Sequence, residues 1–467
     1  MKSSHWILPT CASLLAAPAA AQASFTEIAE GVPQDLSANN THVAGRSSAG
    51  GGYIWEAATN TATNIGEDDA VGTNADGSRC YGNMDDPATL LGSAGIWDSS
   101  TSQWTELLGN PGDPGCSGTL SSAYGWSNDG GVATGLTWSG CMGRAFKWDS
   151  VNGLVVLPQA GTGSTRGNCV SGDGTHIGGW DRFFGSSNKA AIWQPDGTVD
   201  LILLGFPGNP DGLGEVIGLS TDGSVACGKD LNQAFVWSDA DGATLLPKFD
   251  PANFSEMRAI SDDGATAVGW EGGSGPFGSP PEATIWREGS GVQRITDVMT
   301  ENGLTPPAYP LSRCYDVSAD GLTLVGSGTT GFFEDIGWIL TLPPSPWDNL
   351  DGGTTGVNGD PSLTGQGSLA PGSNGTLTMT DGAPSAPCFV GVSVAGIGIP
   401  LFGGVLHTNP ADAILPLATD ANGGLSVPFT WPPSATTGVG ITFQVATVDA
   451  STGFGVSLSN GLRGVTP

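Results

Sequence analysis

Aromatic and acidic side chains in a few long loops are the residues of this chain with the clearest capacity for chemistry. The candidates are Trp138, Trp180, Phe183, Phe184, Trp270, Glu271, Phe332 and Phe333. Rigid aromatic rings beside carboxylates suit contacts with sugar rings or with a protein partner. We therefore predict a binding surface built from these residues. The alternative for each ring is to fold back and cover its own element.

The same loops offer carboxylates for acid–base catalysis, which is the alternative function. The candidates are Asp181, Glu271, Glu334 and Asp335. Hydrolysis of a glycosidic bond needs two such groups about 5–10 Å apart. The sequence contains no Gly-x-Ser-x-Gly, His-Glu-x-x-His or Cys-x-x-Cys motif, so serine hydrolase, zincin and dithiol redox chemistry lack support. Because no motif demands catalysis, we favour non-catalytic binding over a glycoside hydrolase or lyase.

The elements that must position these loops are copies of one motif. The nine-residue frame Ser-x-Asp-Gly-x-x-x-x-Gly occurs at 127–135, 171–179, 220–228, 261–269 and 318–326. Asn74–Gly82 and Ser37–Gly45 follow it with substitutions. A tryptophan follows each copy, at 55, 97, 148, 193, 237, 286 and 338, with spacings of 42 to 52 residues. Seven linked copies in order indicate an internal repeat.

Each repeat unit predicts four strands. The first ends at the frame Ser, Asp-Gly makes a two-residue hairpin turn, the second ends at the frame Gly, the third ends at the Trp, and a fourth follows. Units of this size are typical of propeller blades. Unit seven lacks a fourth strand, and Phe25–Gly31 matches the fourth strand Trp104–Gly109 of unit two. We therefore predict an all-β, seven-bladed propeller whose N-terminal strand closes the last blade.

The repeat resembles that of bacterial secreted HAF-repeat proteins. The closest copies are Ala234-Phe-Val-Trp237 and Ala145-Phe-Lys-Trp148, each after a Ser-x-Asp-Gly frame. The resemblance covers about residues 25–343. It implies a propeller-like extracellular protein and carries over no catalytic residue.

The two ends of the chain predict further segments. Residues 1–23 form a predicted signal peptide, with Lys2, an apolar run over 6–17 and the cleavage site Ala21-Gln22-Ala23. We expect a secreted protein, in the medium or at the cell surface. The propeller is predicted over 24–343, a linker over 344–350 and a small β-sandwich over 351–467. This last module resembles C-terminal domains of planctomycete-type secreted proteins, with Gly455–Gly461 as the matching end.

The charge of the chain restricts its partners. It has 15 basic and 45 acidic residues, a net charge of −30. Such a surface repels nucleic acid and anionic lipid, and no later run is long and apolar enough to span a membrane. No full Asp-x-Asp-x-Asp-Gly calcium loop is present. We predict a monomer without a cofactor, with calcium binding left open and a glycan or an extracellular protein as partner.

The strand order also predicts which face of the propeller carries the function. Loops between strands two and three, and those between units, emerge together and are long and aromatic, whereas the Asp-Gly turns emerge on the opposite face. We call the first the long-loop face and place the function there. Trp180 and Trp270 both follow a frame Gly.

The histidines and cysteines give two further predictions. His42 and His176 share one frame position, which predicts packing rather than metal binding. Cys116 and Cys141 are predicted to form a disulfide.

Overall fold

The computed structural model of the protein describes residues 22–28, 31–66, 69–107, 119–183, 188–206, 209–273, 279–288, 290–330, 334–394, 396, 398–409 and 411–466. These residues form antiparallel strands and, among the described part, one α-helix, Ile295–Glu301. The predicted signal peptide therefore lies almost wholly outside the described residues. The all-β prediction is confirmed.

Seven four-stranded antiparallel sheets account for the repeats in the described residues. Sheet 1 contains Val32–Leu36, His42–Arg46, Gly52–Glu56 and Thr61–Gly66; sheet 2 contains Asp69–Thr73, Arg79–Asp85, Gly92–Asp98 and Gln103–Glu106. Sheet 3 contains Ser121–Trp126, Val132–Ser139, Met142–Asp149 and Gly153–Val156; sheet 4 contains Thr165–Val170, Ile177–Arg182, Asn188–Trp193 and Val199–Asp200. Sheet 5 contains Gly214–Leu219, Val225–Asp230, Gln233–Ser238 and Gly242–Leu245; sheet 6 contains Phe254–Ile260, Thr266–Gly272, Glu282–Arg287 and Gly291–Arg294. Sheet 7 contains Leu311–Val317, Thr323–Thr329, Glu334–Thr341 and Ser24–Ile28; a hairpin, Leu204–Phe206 with Asn209–Asp211, precedes sheet 5.

The sheets pack on one another in chain order, and sheet 7 packs on sheet 1. The N-terminal strand pairs with Glu334–Thr341, from Ser24 opposite Thr341 to Ile28 opposite Gly337. Ile28 is fully buried in a cluster that joins sheet 7 to sheet 1. The N-terminal strand therefore completes the last sheet, as predicted, and the arrangement is a propeller.

The turn between the first and second strands is longer than predicted. In sheet 4 the Ser171 N–H donates to the His176 carbonyl over 3.0 Å, so the loop holds the four residues 172–175. Asp173 Oδ1 accepts the Thr175 N–H over 2.9 Å, and Gly174 has φ +75°. The prediction of a two-residue turn was wrong because the frame Ser and the residue five positions later close the hairpin.

The last glycine of the frame lies inside the second strand, not at its end. Each first strand has a bulge opposite this glycine. A Cβ at Gly135 would overlap the Ser122 carbonyl oxygen, and one at Gly228 would overlap that of Glu215. The glycine is required because the bulge brings the neighbouring backbone too close for a side chain.

The two equivalent histidines pack between sheets. His42 lies over Gly77, in the turn of sheet 2, and His176 lies over Gly223, in the turn of sheet 5. Thr41 and Thr175 place a hydroxyl 2.8 Å and 2.7 Å from the Nδ1 atoms of these rings. The prediction of a shared packing role is confirmed, and the turn glycine also makes room for a side chain of the preceding sheet.

The C-terminal strands form two sheets around one core. The larger sheet contains Trp347–Asn349, Leu462–Val465, Gly440–Val448, Val456–Leu458, Pro387–Ser393 and Ala413–Ala418; the smaller contains Ser362–Gln366, Asn374–Thr380 and Leu425–Thr430; a hairpin joins Ile399–Leu401 to Gly404–Leu406. Leu363 and Leu377 of the smaller sheet share a cluster with Val390 and Val445 of the larger. The strand Trp347–Asn349 pairs with Leu462–Val465, so this part of the predicted linker is folded.

Cys141 is disulfide-bonded, whereas the other described cysteines, 80, 169, 227, 314 and 388, are free. Cys116, the predicted partner of Cys141, lies outside the described residues. The free thiols are buried or half-buried, which is how a small apolar side chain behaves.

Candidate functional site

The first strands of the seven sheets surround a central cavity of about 440 Å³. Each of these strands contains the bulge described above, and the bulged residue lines the cavity. The seven residues are Gln34, Val71, Tyr124, Asn168, Ile217, Arg258 and Tyr315. A bulge re-aims a side chain, so one backbone irregularity presents a different side chain from each sheet.

The Asp-Gly turns approach one another at one end of this cavity. The Asp262 N–H donates to Ala319 O over 3.0 Å, and the Asp173 N–H donates to Thr221 O over 3.0 Å. These bonds join turns of neighbouring sheets and draw them together. The long-loop face lies at the opposite end of the strands.

Ion pairs link sheets 4, 5 and 6. Arg166 Nη2 lies 2.9 Å from Glu215 Oε2, and Lys229 Nζ lies 3.9 Å from Glu215 Oε1. Lys229 Nζ also lies 3.2 Å from Glu256 Oε2, and Arg258 Nη1 lies 2.8 Å from Glu256 Oε1. Burial opposes ionisation of Glu256, but Arg258 and Lys229 hold its pKa below the usual value. Each glutamate therefore fixes two cations.

Aromatic rings orient the same cations. The Arg166 guanidinium lies 4.6 Å from the Tyr124 ring centroid and 5.4 Å from that of Trp180. Arg258 lies 5.0 Å from the Tyr315 ring centroid. Cations over ring faces are attracted by the ring quadrupole. Tyr124 is 40% exposed, so its ring remains accessible within the cavity.

A second cavity, of about 490 Å³, adjoins the ion pairs between sheets 4 and 5. We call it the side cavity; it is lined by Arg182, Asn188, Leu213, Gly214, Glu215, Lys229 and Leu231. Arg182 Nε donates to Asn188 Oδ1 over 2.9 Å. The side cavity shares Glu215 and Lys229 with the ion pairs, so the two features form one continuous polar surface.

The predicted aromatic residues differ in their surroundings. Trp180 is 6% exposed and lies between Arg166 and Arg182, so it covers its own sheet and supports the two cations. Trp270 is half-buried with Arg313 over its ring at 4.9 Å. Trp138 is half-buried, and its Nε1 donates to Thr119 Oγ1 over 3.2 Å.

The remaining predicted aromatic residues are four phenylalanines, and the structure describes one of them. Phe183 is half-buried, and Lys189 Nζ lies 5.0 Å from its ring centroid. Phe184, Phe332 and Phe333 lie outside the described residues. Trp180 and Phe183 are near Arg182, which lines the side cavity, whereas Trp138 lies in sheet 3.

The carboxylates proposed for catalysis bind backbone instead. Asp181 is buried, and its Oδ2 accepts the Ala160 N–H over 2.7 Å. Burial raises the pKa of Asp181, partly offset by the N–H groups of Ala160 and Gly161. Glu271, also buried, accepts the N–H groups of Phe249 and Asp250, both over 2.8 Å. The side chains of Glu334 and Asp335 are outside the described part.

Asp181 and Glu271 hold the connections that lead into their own sheets. Both stand two residues after a frame Gly, and both accept N–H groups from the segment that precedes the first strand. That shared offset was the available signal for a structural role. An equivalent position in the repeat favours repeated packing over chemistry at one sheet.

A pair of aspartates beside the cavity was not predicted. Asp316 Oδ2 accepts the Leu36 N–H over 2.7 Å, and Asp35 Oδ2 accepts the Thr73 N–H over 2.8 Å. Burial raises the pKa of Asp316 to about 7, against its backbone hydrogen bonds. Burial also raises the pKa of Asp35, and the Asp316 charge raises it further. These side chains join sheet 7 to sheet 1 and sheet 1 to sheet 2.

Two further features of the described residues concern metals and membranes. Within the described ranges, no three His, Cys, Asp or Glu side chains converge as metal ligands would; calcium binding stays a prediction. No helix in the described part of the chain has the length and apolar character needed to cross a bilayer.

Comparison with known proteins found solved structures with low similarity and no family. No family model and no curated protein matches the chain. The propeller domain of the Trilobed protease from Pyrococcus furiosus is 11% identical, with a TM-score of 0.43, over 67% of this chain and 95% of that chain. Oligogalacturonate lyase from Vibrio parahaemolyticus is 11% identical, with a TM-score of 0.44, over 70% and 98%. TolB from Acinetobacter baumannii is 18% identical, with a TM-score of 0.36, over 49% of this chain and 55% of that chain, so the chain spans about half of that protein's length. The propeller is established by the sheet topology of this chain, and the HAF-repeat resemblance stays a prediction.

Proposed function

We propose that the protein is a secreted, non-catalytic binding protein that uses the long-loop face of its propeller to contact a glycan or an extracellular protein. The observation that supports this most directly is the set of oriented cations and rings that links the lining of the central cavity to that of the side cavity. Exposed aromatic rings beside fixed polar groups are typical of binding sites.

Binding is favoured over hydrolysis because two of the four candidate carboxylates are unavailable. Asp181 and Glu271 are buried and accept backbone N–H groups. A general acid or base must reach the proton that it transfers. Replacing either carboxylate would therefore disturb the fold before it disturbed any reaction.

A binding and turnover screen tests the proposal. The mature chain, residues 24–467, is applied to a glycan array and incubated with the same polysaccharides, with and without calcium. Tyr124→Ala should weaken binding by about 1–3 kcal/mol, as expected for a central aromatic contact. Val151, 89% exposed at a turn of the opposite face, supplies the control Val151→Ala, which should bind like the parent.

Two outcomes would contradict the proposal. Release of shortened sugar products would make the protein an enzyme. Equal binding by the parent and Tyr124→Ala, with loss in Val151→Ala, would place the site on the other face. Secretion is tested separately: the N-terminal sequence of exported material should begin near Ser24 and should not contain Trp6.

A further inference from the structure

We propose that the protein pairs with a second copy of itself through one edge of its C-terminal sheets. The edge is the strand Ala413–Ala418, at one end of the larger C-terminal sheet. The partner that we assign to it is the same strand of another chain, running antiparallel about a two-fold axis. Such a dimer does not depend on whether the propeller binds a ligand, and it replaces the monomer that the sequence predicts.

The edge strand is apolar on both of its faces. Its sequence is Ala-Ile-Leu-Pro-Leu-Ala, and all six residues are exposed. Ile414 is 61% exposed and Leu415 is 43% exposed, although successive side chains of a strand point to opposite faces of its sheet. Leu415 is paired with Val390, which lies in the core that the two C-terminal sheets share. The core face of the larger sheet therefore reaches an edge at which its side chains still meet solvent.

The same strand presents backbone groups that can pair. In the described part of the chain, Ala413–Ala418 is paired on one side only, with Pro387–Ser393. The Thr419 N–H donates to the Ala386 carbonyl across that pair over 3.0 Å. Because backbone groups alternate in direction along a strand, positions 413, 415 and 417 face the paired side and positions 414, 416 and 418 face the open side. An open edge of this kind is a template for another strand.

Two other edges of the C-terminal sheets are built differently. At the far end of the larger sheet, the edge strand Trp347–Asn349 has three residues, of which two are polar. In the smaller sheet, the edge strand Leu425–Thr430 exposes Ser426, Pro428 and Thr430. Short length, polar side chains and proline are the usual protection of a sheet edge. Ala413–Ala418 is six residues long and has Pro416 as its one such device, so it is better suited to pairing than these two edges.

A second copy supplies the strand that this edge can accept. The longest internal segment outside the described residues, 108–118, contains four glycines and two prolines, a composition that is unfavourable in strands. The same edge of another chain offers six apolar residues and the same open backbone groups. An isologous contact uses one surface of both chains, so the assembly closes as a dimer. A strand of this length buries an area near or below the lower limit of standard interfaces, about 1,200 Å², so we expect a Kd on the order of micromolar.

Proline and charge select the register of the pair. A two-fold axis at Pro416 would put two prolines opposite each other on the open side, where neither has an N–H to donate. It would also place Asp412 of one chain opposite Asp420 of the other, and like charges directly opposite are destabilising. An axis at Leu415 avoids both, because it pairs Leu415 with its own copy and Ile414 with Pro416. In that register the Ile414 N–H donates to the Pro416 carbonyl of the second copy.

Sedimentation velocity of the mature chain from about 1 to about 100 μM tests the inference. The sedimentation coefficient should rise from that of a monomer to that of a dimer, with no larger species. Ile414→Lys places a charge on the exposed edge and should raise the Kd of the dimer at least about tenfold. The matched control is Val151→Lys, which makes the same change in net charge at an exposed turn of the propeller and should change the Kd less than about twofold.

Cross-linking locates the axis and does not depend on the stability of Ile414→Lys. Residues directly opposite in an antiparallel pair have Cβ atoms about 4.5–5.5 Å apart, close to the separation that a disulfide needs. Under mild oxidation, Leu415→Cys should give a covalent dimer in which peptide masses join position 415 of both chains. Ala418→Cys, on the same strand but opposite Asp412 of the second copy, should give at least about tenfold less covalent dimer.

Several results would overturn the inference. A parent chain that stays monomeric at about 100 μM would remove the dimer and leave the proposed function standing. Equal dimerisation by the parent and Ile414→Lys, without a link through position 415, would place the interface elsewhere. Growth into larger species would show open-ended aggregation instead of a closed pair. A monomer that binds an extended peptide of alternating valine and threonine would replace the second copy with a strand of another protein.

Discussion

The N-terminal strand should stabilise the whole propeller, and Ile28→Ala is the sharpest perturbation of it. Ile28 has an exposed fraction of 0% and packs in one cluster with Leu36, Tyr53 and Ile339, which belong to sheets 1 and 7. The substitution leaves the backbone pairing in place. It removes only side-chain packing at the junction where the first and last sheets meet.

The expected cost follows from the atoms removed. Isoleucine to alanine deletes three carbons, worth about 2.4 kcal/mol of transfer free energy at about 0.8 kcal/mol for each. The cavity left behind adds to this, because buried Ile→Ala changes cost about 2–5 kcal/mol in total. We expect the free energy of unfolding to fall by about 3–4 kcal/mol.

Urea unfolding followed by tryptophan fluorescence measures this loss. Ser24→Ala, at the exposed start of the same strand, should change the free energy by less than about 0.5 kcal/mol. Leu107→Ala is the matched core control, since Leu107 is 2% exposed and follows the Trp104 strand as Ile28 follows Phe25. If Leu107→Ala is destabilised but Ile28→Ala unfolds like the parent, the N-terminal strand is not part of the cooperative ring.

Three other changes test the interior of the propeller. Ser261→Ala should cost about 1–3 kcal/mol, because the buried Thr266 N–H loses the Ser261 hydroxyl acceptor at 3.0 Å; urea unfolding that matches the parent would refute this. Glu271→Gln should lower the free energy of unfolding by a similar amount, since an amide offers one acceptor oxygen where Glu271 uses two. An unchanged thermal unfolding midpoint in this variant would show that these two hydrogen bonds do not stabilise the fold. Burial raises the folded-state pKa of Asp35 and Asp316, so the folded protein retains protons that the unfolded chain has lost, and stability should fall as pH rises from about 5 to 8. Asp35→Asn should flatten that fall, because it removes one of the two groups that retain a proton in the folded protein; an unchanged difference between the midpoints at pH 5 and pH 8 would contradict it.

The sheets could be predicted because the sequence pattern that indicates them is repeated. A single Ser-x-Asp-Gly segment indicates only a turn, but seven copies with a tryptophan after each indicate a ring of similar sheets. The closing strand was predictable because Phe25–Gly31 matches a strand inside unit two. The turn length and the place of the frame Gly were not, because they depend on backbone pairing: the Ser171 N–H bonds His176, and the bulge facing Gly135 belongs to another strand.

The sequence predicted at which end of their strands the candidate residues lie. It did not predict which residues they contact. Trp180 and Asp181 do stand at the long-loop end of their strand, but both are buried, by Arg166 and Arg182 and by the preceding connection. The ion pairs were missed because Glu215, Lys229 and Glu256 come from separate strands of two sheets. Their signal was present one residue after the frame Gly, where Lys229 is equivalent to Trp180.

The pairing of Ser24 with Thr341 means that the polypeptide enters and leaves the ring at one point. In a propeller that ends at Thr341, without the C-terminal sheets, a covalent link between these positions would make sheet 7 continuous, and new ends could be opened at the turn of Val151, which is 89% exposed. Chains with neighbouring termini tolerate such circular permutation, and exposed turns tolerate inserted domains. The order of the sheets along the polypeptide is therefore separable from the way they pack, and a fused domain could be placed on either face by choosing which turn is opened.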